Sequence, residues 1–512
     1  MQPTVWRSFA TTCTRRAPPM RLAVVGTGPS GFYAASRILH QFDKAHGTGD
    51  NGVEVHMYER LPTPFGLVRY GVAPDHPEVR NVENKFDEVL RDPRVTFLGN
   101  VCVTAEATSS IPAPTEHIAL PSLAPYYTHI LYAYGASDAR HLHVPGSAPG
   151  ELANVASALD FVQWYNGHPD AHGANAARWE QIDGSTLRNV AVVGAGNVAI
   201  DVARILLRQS AFAPADQSLR HTDVPQSVLD CLRSWQVENV GLFVRRGAAQ
   251  LAFTNKELRE MLALPHAPFQ PMDAAHLSQA LAIVAQSEEV GHKRAMTRLL
   301  KQLQKGSACT YKADHKPRWG VHLLRAPKAF HGRDGRVVEA EWAVTQVSEQ
   351  GQAIDTGDSV TTDVDLVLSS VGYRSRPLPG TATNVPFDDL RAIIPNERRR
   401  VVNQDGHIVP GMYVAGWLAT GPVGVIVSTM IDAYSAADEM LHDWRENPTT
   451  STLCASYGVP TAERGLPEAL EGKRIVHYDD WLRIDAAEKE RGRALDKPRE
   501  KFVRVQDMLD IL

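Results

Sequence analysis

The chain has 512 residues, 43% hydrophobic and 22% charged, and carries a net charge of −5 at neutral pH. That is the composition of a folded globular protein with room for two or three domains, and the acidic balance excludes nucleic acid as a partner drawn by bulk charge. No apolar run is long enough to cross a bilayer, and the five cysteines (Cys13, Cys102, Cys231, Cys309, Cys454) are too scattered for a CxxC redox pair or a metal-ligand cluster.

In chain order, residues 1–20 carry Arg7, Arg15 and Arg16 among Ser, Thr and Ala, and no acid precedes Asp43. This is the composition of a mitochondrial transit peptide, with a plain N-terminal tail before Met20 as the alternative. A βαβ pattern follows. An apolar strand at 22–25 runs through Gly26-Thr27-Gly28-Pro29-Ser30-Gly31 into a helix from about Ser30, and a second strand lies at 53–58. Glycines at these positions permit the tight turn, close approach of a pyrophosphate and close helix–strand packing, while the helix start offers free N–H groups to phosphate. Glu59, at the end of the second strand, suits ribose hydroxyls and repels a 2′-phosphate, which predicts FAD or NAD(H) here.

An apolar strand at 130–133 ends in YAYGAS and reads as a crossing from a first domain (21–134) into a second (135–371). There the pattern repeats: a strand at 190–193, the turn Gly194-Ala195-Gly196-Asn197-Val198-Ala199, a helix ending near Leu207, and a strand at 240–244. Ala in the third glycine position is permitted. This time the strand leads into Arg245 and Arg246, whose guanidinium forks fit phosphate oxygens, so NADP(H) is predicted. Residues 208–235 and 263–315 read as helical insertions, 349–359 as a polar loop, and 366–371 as the return crossing to a third segment, 372–512. The chain after Asn447 reads as a polar, helix-prone surface tail. Alternating strands and helices make the fold class α/β, with two Rossmann-like dinucleotide-binding domains on parallel sheets. One chain holding both ligands would carry a hydride from nicotinamide to flavin.

Several stretches resemble one family. LPTPFGLVRYGVAPDHPEVRNV (61–82), LDFVQWYNGHP (159–169), GAGNVAIDVARILL (194–207), VRRG (244–247) with AFTNKELREM (252–261), GWLATGPVGVIVSTMIDA (416–433) and LDKPREKF (495–502) are similar to motifs of the adrenodoxin reductases, the mitochondrial NADPH:ferredoxin oxidoreductases. The resemblance implies an NADP domain inserted into a split FAD domain. It places FAD on residues matching Ser30, Glu59, Leu67, Val101, Trp417, Gly424, Val425 and Ile426. It places NADP on Gly194, Ala195, Gly196, Asn197, Arg245, Arg246, Glu257 and Gly424. The loop ahead of Gly424 would aim a helix N-terminus at the flavin and stabilise its reduced, anionic form.

His76 reads from its PDHP context alone as a turn residue, and Asp201 as a polar residue early in its helix. The resemblance sets both near the flavin, as proton carriers. It also implies an acidic [2Fe–2S] ferredoxin as partner. The insertion GHKRAMTRLLKQLQK (291–305) supplies a cationic face for it: Arg294, Arg298 and Lys301, with Lys293 and Lys305 beside them. Arg259 is added by the family. Ala419-Thr420 stands where some members carry a Lys-Arg pair, which removes those two charges. A monomer in the mitochondrial matrix or on the inner-membrane surface is implied. A thioredoxin-reductase-type enzyme would need a CxxC. A flavin-dependent monooxygenase, or a sensor that binds FAD and NADP without turnover, shares the architecture.

Overall fold

A computed structural model describes residues 19–47, 52–380, 385–424, 426–446, 453–458 and 465–512. Two parallel-centred sheets carry the site. The first has seven strands in the order Asn396–Glu397, Arg400–Val402, Ile408–Val414, His129–Tyr132, Met20–Val25, Val53–Tyr58, Val95–Leu98. The last five run parallel, and the first two form an antiparallel edge. The second sheet is wholly parallel: Arg318–Leu323, Asn239–Val244, Asn189–Val193, Leu366–Ser369, Val155–Ser157.

The first sheet therefore takes strands from both ends of the chain, and the second takes them from between. Segments Asp138–Ala139 and Tyr373–Arg374, where the chain passes between the sheets, pair antiparallel with one another. Of residues 1–20, the stretch expected to be a transit peptide, 1–18 lie outside the described residues, and Met20 opens the first strand.

Both sheets are buried on both faces, which is why their strands read as unbroken apolar runs. In the first, Leu22 and Val24 face one core with Val55 and Met57, while Ala23 and Val25 face another with Ile130 and Tyr132. In the second, Val190 and Val192 pack with Ile200 and Leu206 of the following helix, and Ala191 and Val193 pack with Phe243 and Trp342. Helices Pro29–His46 and Ile426–Glu446 lie together on the first sheet. The insertions carry helices Gln226–Ser234, Ala274–Ala285 and Val290–Lys305. Among the described residues no helix is long and apolar enough to cross a membrane. Cys102, Cys231 and Cys309 are free thiols.

Two expectations need correction. The polar stretch 349–359 is a loop only at its start. Ala353–Asp363 is the edge strand of an antiparallel sheet with Arg325–Arg333 and Arg336–Val347. Nearly all its side chains are exposed, so pairing of its backbone to one neighbour holds it, and no apolar alternation marks it. The chain beyond Asn447 is not merely a surface tail. Helix Tyr478–Arg493 buries Trp481, Ile484 and Glu488, and Lys497 and Lys501 beyond it are also buried. Its polarity comes from charges paired inside the molecule.

Candidate active site

Both glycine turns end at a helix start without a side-chain cap. Helix Pro29–His46 follows Gly28, helix Asn197–Gln209 follows Gly196, and neither cap residue offers a side-chain hydrogen bond. Open N–H donors at the positive end of a helix dipole form an anion site. A Cβ on Gly28 or Gly196 would meet nothing within 4 Å, whereas one on Gly31 would lie 2.3 Å from the Gly26 carbonyl oxygen. Gly31 is thus needed for packing, while Gly28 and Gly196 face cradles that fit a pyrophosphate.

The two turns are flanked by opposite charges. The Glu59 carboxylate accepts from the Thr27 N–H (3.1 Å), the Thr27 hydroxyl (2.7 Å) and the Leu61 N–H (3.2 Å), which pins it beside the first turn. Beyond strand Asn239–Val244, Arg245 is exposed and Arg246 half-buried, and among the described residues neither guanidinium has an acidic partner. Their backbone is fixed, since the Thr345 hydroxyl donates to the Arg245 carbonyl (2.7 Å). Asn197 Oδ1 accepts the Thr254 N–H at 2.8 Å and ties the second turn to helix Asn255–Leu262.

A buried charge cluster joins the two halves. Arg204, on the second-turn helix, is 2% exposed. It donates to Asp75 at 2.7 and 3.1 Å and to Glu257 at 3.1 Å, and lies 2.8 Å from Asp201 Oδ1 without the alignment of a hydrogen bond. Arg208 adds a 3.0 Å bond to Asp75. His76, buried next to Asp75, shares a hydrogen bond with Glu260 through Nε2, and its Nδ1 lies 3.8 Å from Glu257.

Burial alone would raise the Asp75 carboxyl, but Arg204, helped by His76 and Arg208, holds it at about 2. Asp201 goes the other way. Burial and the neighbouring Glu257 outweigh Arg204 and push it up to about 7, so this carboxyl titrates close to neutral pH.

Several segments that carry the other residues expected at the flavin lie against the first turn. Gly416 has φ 71°, and a Cβ on it would sit 1.9 Å from Ser30 Oγ, so the 416–424 loop rests directly on the first helix start. Asp432 holds that loop by accepting the Gly416 N–H at 2.5 Å, and pairs with Arg399. Trp417 packs its ring 5.6 Å from Tyr373, and its buried Nε1–H has no partner among the described residues, which fits a bound acceptor. Leu67 opens helix Leu67–Tyr70 beside Gly66, where a Cβ would come within 3.2 Å of Gly28 Cα. Val101 donates its N–H to the Glu59 carbonyl at 2.8 Å and buries its side chain. Gly424 is exposed just ahead of helix Ile426–Glu446. Val425 lies outside the described residues.

No known family profile matches the chain. It is 37% identical over 504 residues to the mitochondrial NADPH:adrenodoxin oxidoreductase of Homo sapiens, covering 96% of this chain and 92% of that protein. The chain belongs to the NADPH:adrenodoxin oxidoreductase family. It is also 34% identical over 524 residues to the family's Arabidopsis thaliana member, covering 99% and 97% of the two chains. The solved structure of Mycobacterium tuberculosis FprA in complex with NADPH superposes with a TM-score of 0.79 at 32% identity, over 96% of this chain and 99% of that one.

In this adrenodoxin oxidoreductase relative, helix Val290–Lys305 buries Met296, Leu299, Leu300 and Leu303 and exposes Arg294, Arg298, Lys301 and Lys305, with Lys293 half-buried. Among the described residues none of these cations has an acidic partner. Arg259 is exposed on the adjoining helix Asn255–Leu262. The two helices are joined by Asn255, which donates to the Ala295 carbonyl (2.9 Å) and accepts from Gln302 (2.7 Å). The helix that carries Glu257 and Glu260 into the charge cluster therefore also carries Arg259 outwards.

Sequence reasoning missed Asp75, Arg204 and Glu260. Arg204 had a signal: an arginine amid the apolar residues of DVARILL must be buried and must find carboxylates. Glu257, expected at NADP, accepts from Arg204.

Proposed function

We propose that the chain is an FAD-containing oxidoreductase that takes electrons from NADPH and passes them one at a time to a [2Fe–2S] ferredoxin in the mitochondrion. The observation that carries this reading is a pair of uncapped glycine turns of opposite charge, Glu59 at one and Arg245-Arg246 at the other, joined by the buried Asp75–Arg204 cluster. Bound FAD supplies the exchange between two-electron and one-electron chemistry.

The chain's own residues do the rest. Gly26, Gly28, Ser30 and Gly31 cradle the flavin nucleotide's pyrophosphate, and Glu59 accepts its ribose hydroxyls. Gly194, Ala195, Gly196 and Asn197 hold the second pyrophosphate, with Arg245 and Arg246 on the 2′-phosphate. Arg204 fixes Asp75, and so the adjacent His76, against the second-turn helix. His76, backed by Glu260, and Asp201, whose carboxyl burial pushes up to about 7, are placed to exchange a proton where the two halves meet. FAD-domain segments 21–134 and 372–512 flanking an NADP domain, 135–371, fit the sheet connections.

The cationic face of Arg259, Arg294, Arg298 and Lys301 suits an acidic ferredoxin. We take the chain to act as a monomer, peripheral to the inner membrane if associated with it. Arg298→Glu should lower the rate of ferredoxin reduction several-fold at low salt and converge on wild type as salt rises, because steering between exposed charges is screened. NADPH–ferricyanide turnover should not change. Equal losses in both assays would remove the docking assignment.

A further inference from the structure

The LDKPREKF segment, residues 495–502, buries three charged side chains, Lys497, Glu500 and Lys501, and the redox reading above gives them no task. Lys501 is 1% exposed, and all three of its ammonium protons are used: on Asp223 (2.6 Å), on the Asn166 carbonyl (2.9 Å) and on the Arg69 carbonyl (3.2 Å). Asp223 is shared with Arg80, whose other N–H groups reach the Val72 carbonyl (2.8 Å) and Asn166 Oδ1 (3.0 Å). Arg80 thus ties the start of the 72–80 loop to its own position at the end, and that loop holds Asp75 and His76. Nearby, Lys497 donates to the Val224 carbonyl at 2.5 Å and pairs with Glu500, which accepts the Gln226 N–H at 2.9 Å. Glu488, fully buried, accepts from Arg69 at 2.6 and 2.8 Å, from Arg499 at 3.1 Å and from the Phe502 N–H at 3.0 Å.

The tail therefore grips three segments far apart in sequence: 67–80 from the half bearing the first glycine turn, and Asn166 and 223–226 from the half bearing the second. Ionic contacts are a costly way to fill such a joint. Apolar packing of the same volume would often be as stable or more so, whereas paired ions fix direction and register. Transfer between two bound rings is sensitive to placement, since a misplacement of about 1 Å costs about 10²-fold.

We propose that Lys501, through Asp223 and Arg80, is a positioning residue for hydride transfer: it sets the 72–80 loop, with His76, against the half that bears Arg245 and Arg246. The proposal rests on the NADPH–flavin reading of the site.

The test uses the full chain with FAD bound, as Lys501→Met and, since a buried lysine variant can fail to fold, Asp223→Asn, which keeps the side-chain volume. Anaerobic stopped-flow bleaching of the flavin by NADPH is followed, with NADPH carrying hydrogen or deuterium at the transferred position. The expected result is a hydride-transfer rate at saturating NADPH at least about tenfold lower. The primary isotope effect should be larger than in wild type, with FAD content and NADPH Kd within about twofold. A variant that is less heat-stable but transfers hydride at the wild-type rate with the wild-type isotope effect would overturn the proposal and leave only a structural staple. Wild-type chain that NADPH does not bleach would instead overturn the underlying reading.

Discussion

Replacing Arg245 and Arg246 together by alanine is expected to raise the KM for NADPH by about 10²–10⁴-fold and to leave turnover with NADH nearly unchanged. The two side chains stand without acidic partners on a fixed stretch of backbone beyond the second turn. Each hydrogen bond from a charged group is worth about 1.5–3 kcal/mol, and each 1.4 kcal/mol is tenfold in affinity. NADH lacks the 2′-phosphate and loses none of this. Lysine at both positions should recover charge but not the planar fork, and fall between the two. Steady-state ferricyanide reduction with each nucleotide checks this. Parallel losses for NADPH and NADH would mean that the arginines hold something other than the 2′-phosphate.

Arg204→Leu is expected to destabilise the protein by about 3–5 kcal/mol at pH 7, because it leaves buried carboxylates without their main cation. Asp75, Asp201 and Glu257 all face this one guanidinium, and only Arg208 remains to bind Asp75. The pH dependence has a definite sign. In the wild type, Asp75 is held at about 2, so its contribution is complete above its unfolded value of about 3.9 and is lost progressively as pH falls from there through about 2. Asp201, raised to about 7, keeps a proton that the unfolded chain releases, and so it favours folding increasingly as pH falls from 7 towards 4. Without Arg204 the Asp75 carboxyl loses the main group that holds it down, and burial raises it towards Asp201. The stability gap between variant and wild type should therefore narrow from pH 7 to pH 5 in urea denaturation. A gap below about 1 kcal/mol at pH 7, or one that widens on acidification, would contradict the role given to Arg204.

Much of the fold could be read along the chain because parallel strands buried on both faces leave plain apolar runs. Strands Met20–Val25 and Asn189–Val193 fall within two residues of where the sequence puts them. The glycine turns were legible because their chemistry is local: turn, cradle and helix start are adjacent in sequence. The charge cluster was not, because Asp75, Arg204 and Glu260 are far apart in sequence, and only folding makes them neighbours. His76 could be suspected, but its hydrogen-bonding partner Glu260 is 184 residues away. The strand Ala353–Asp363 was hidden for a different reason. It is held by backbone pairing at an exposed edge, where side-chain pattern carries no signal. The tail misled because buried ion pairs and a solvated surface have the same composition.

Two unlike dinucleotide sites in one chain make NADPH the electron donor to a bound flavin. Anaerobic absorbance titration of the purified full-length protein tests it most directly. Flavin absorbance bands are expected that bleach on stoichiometric NADPH and only slightly on equal NADH. Protein that neither carries nor takes up FAD, or that bleaches equally with the two nucleotides, would contradict it.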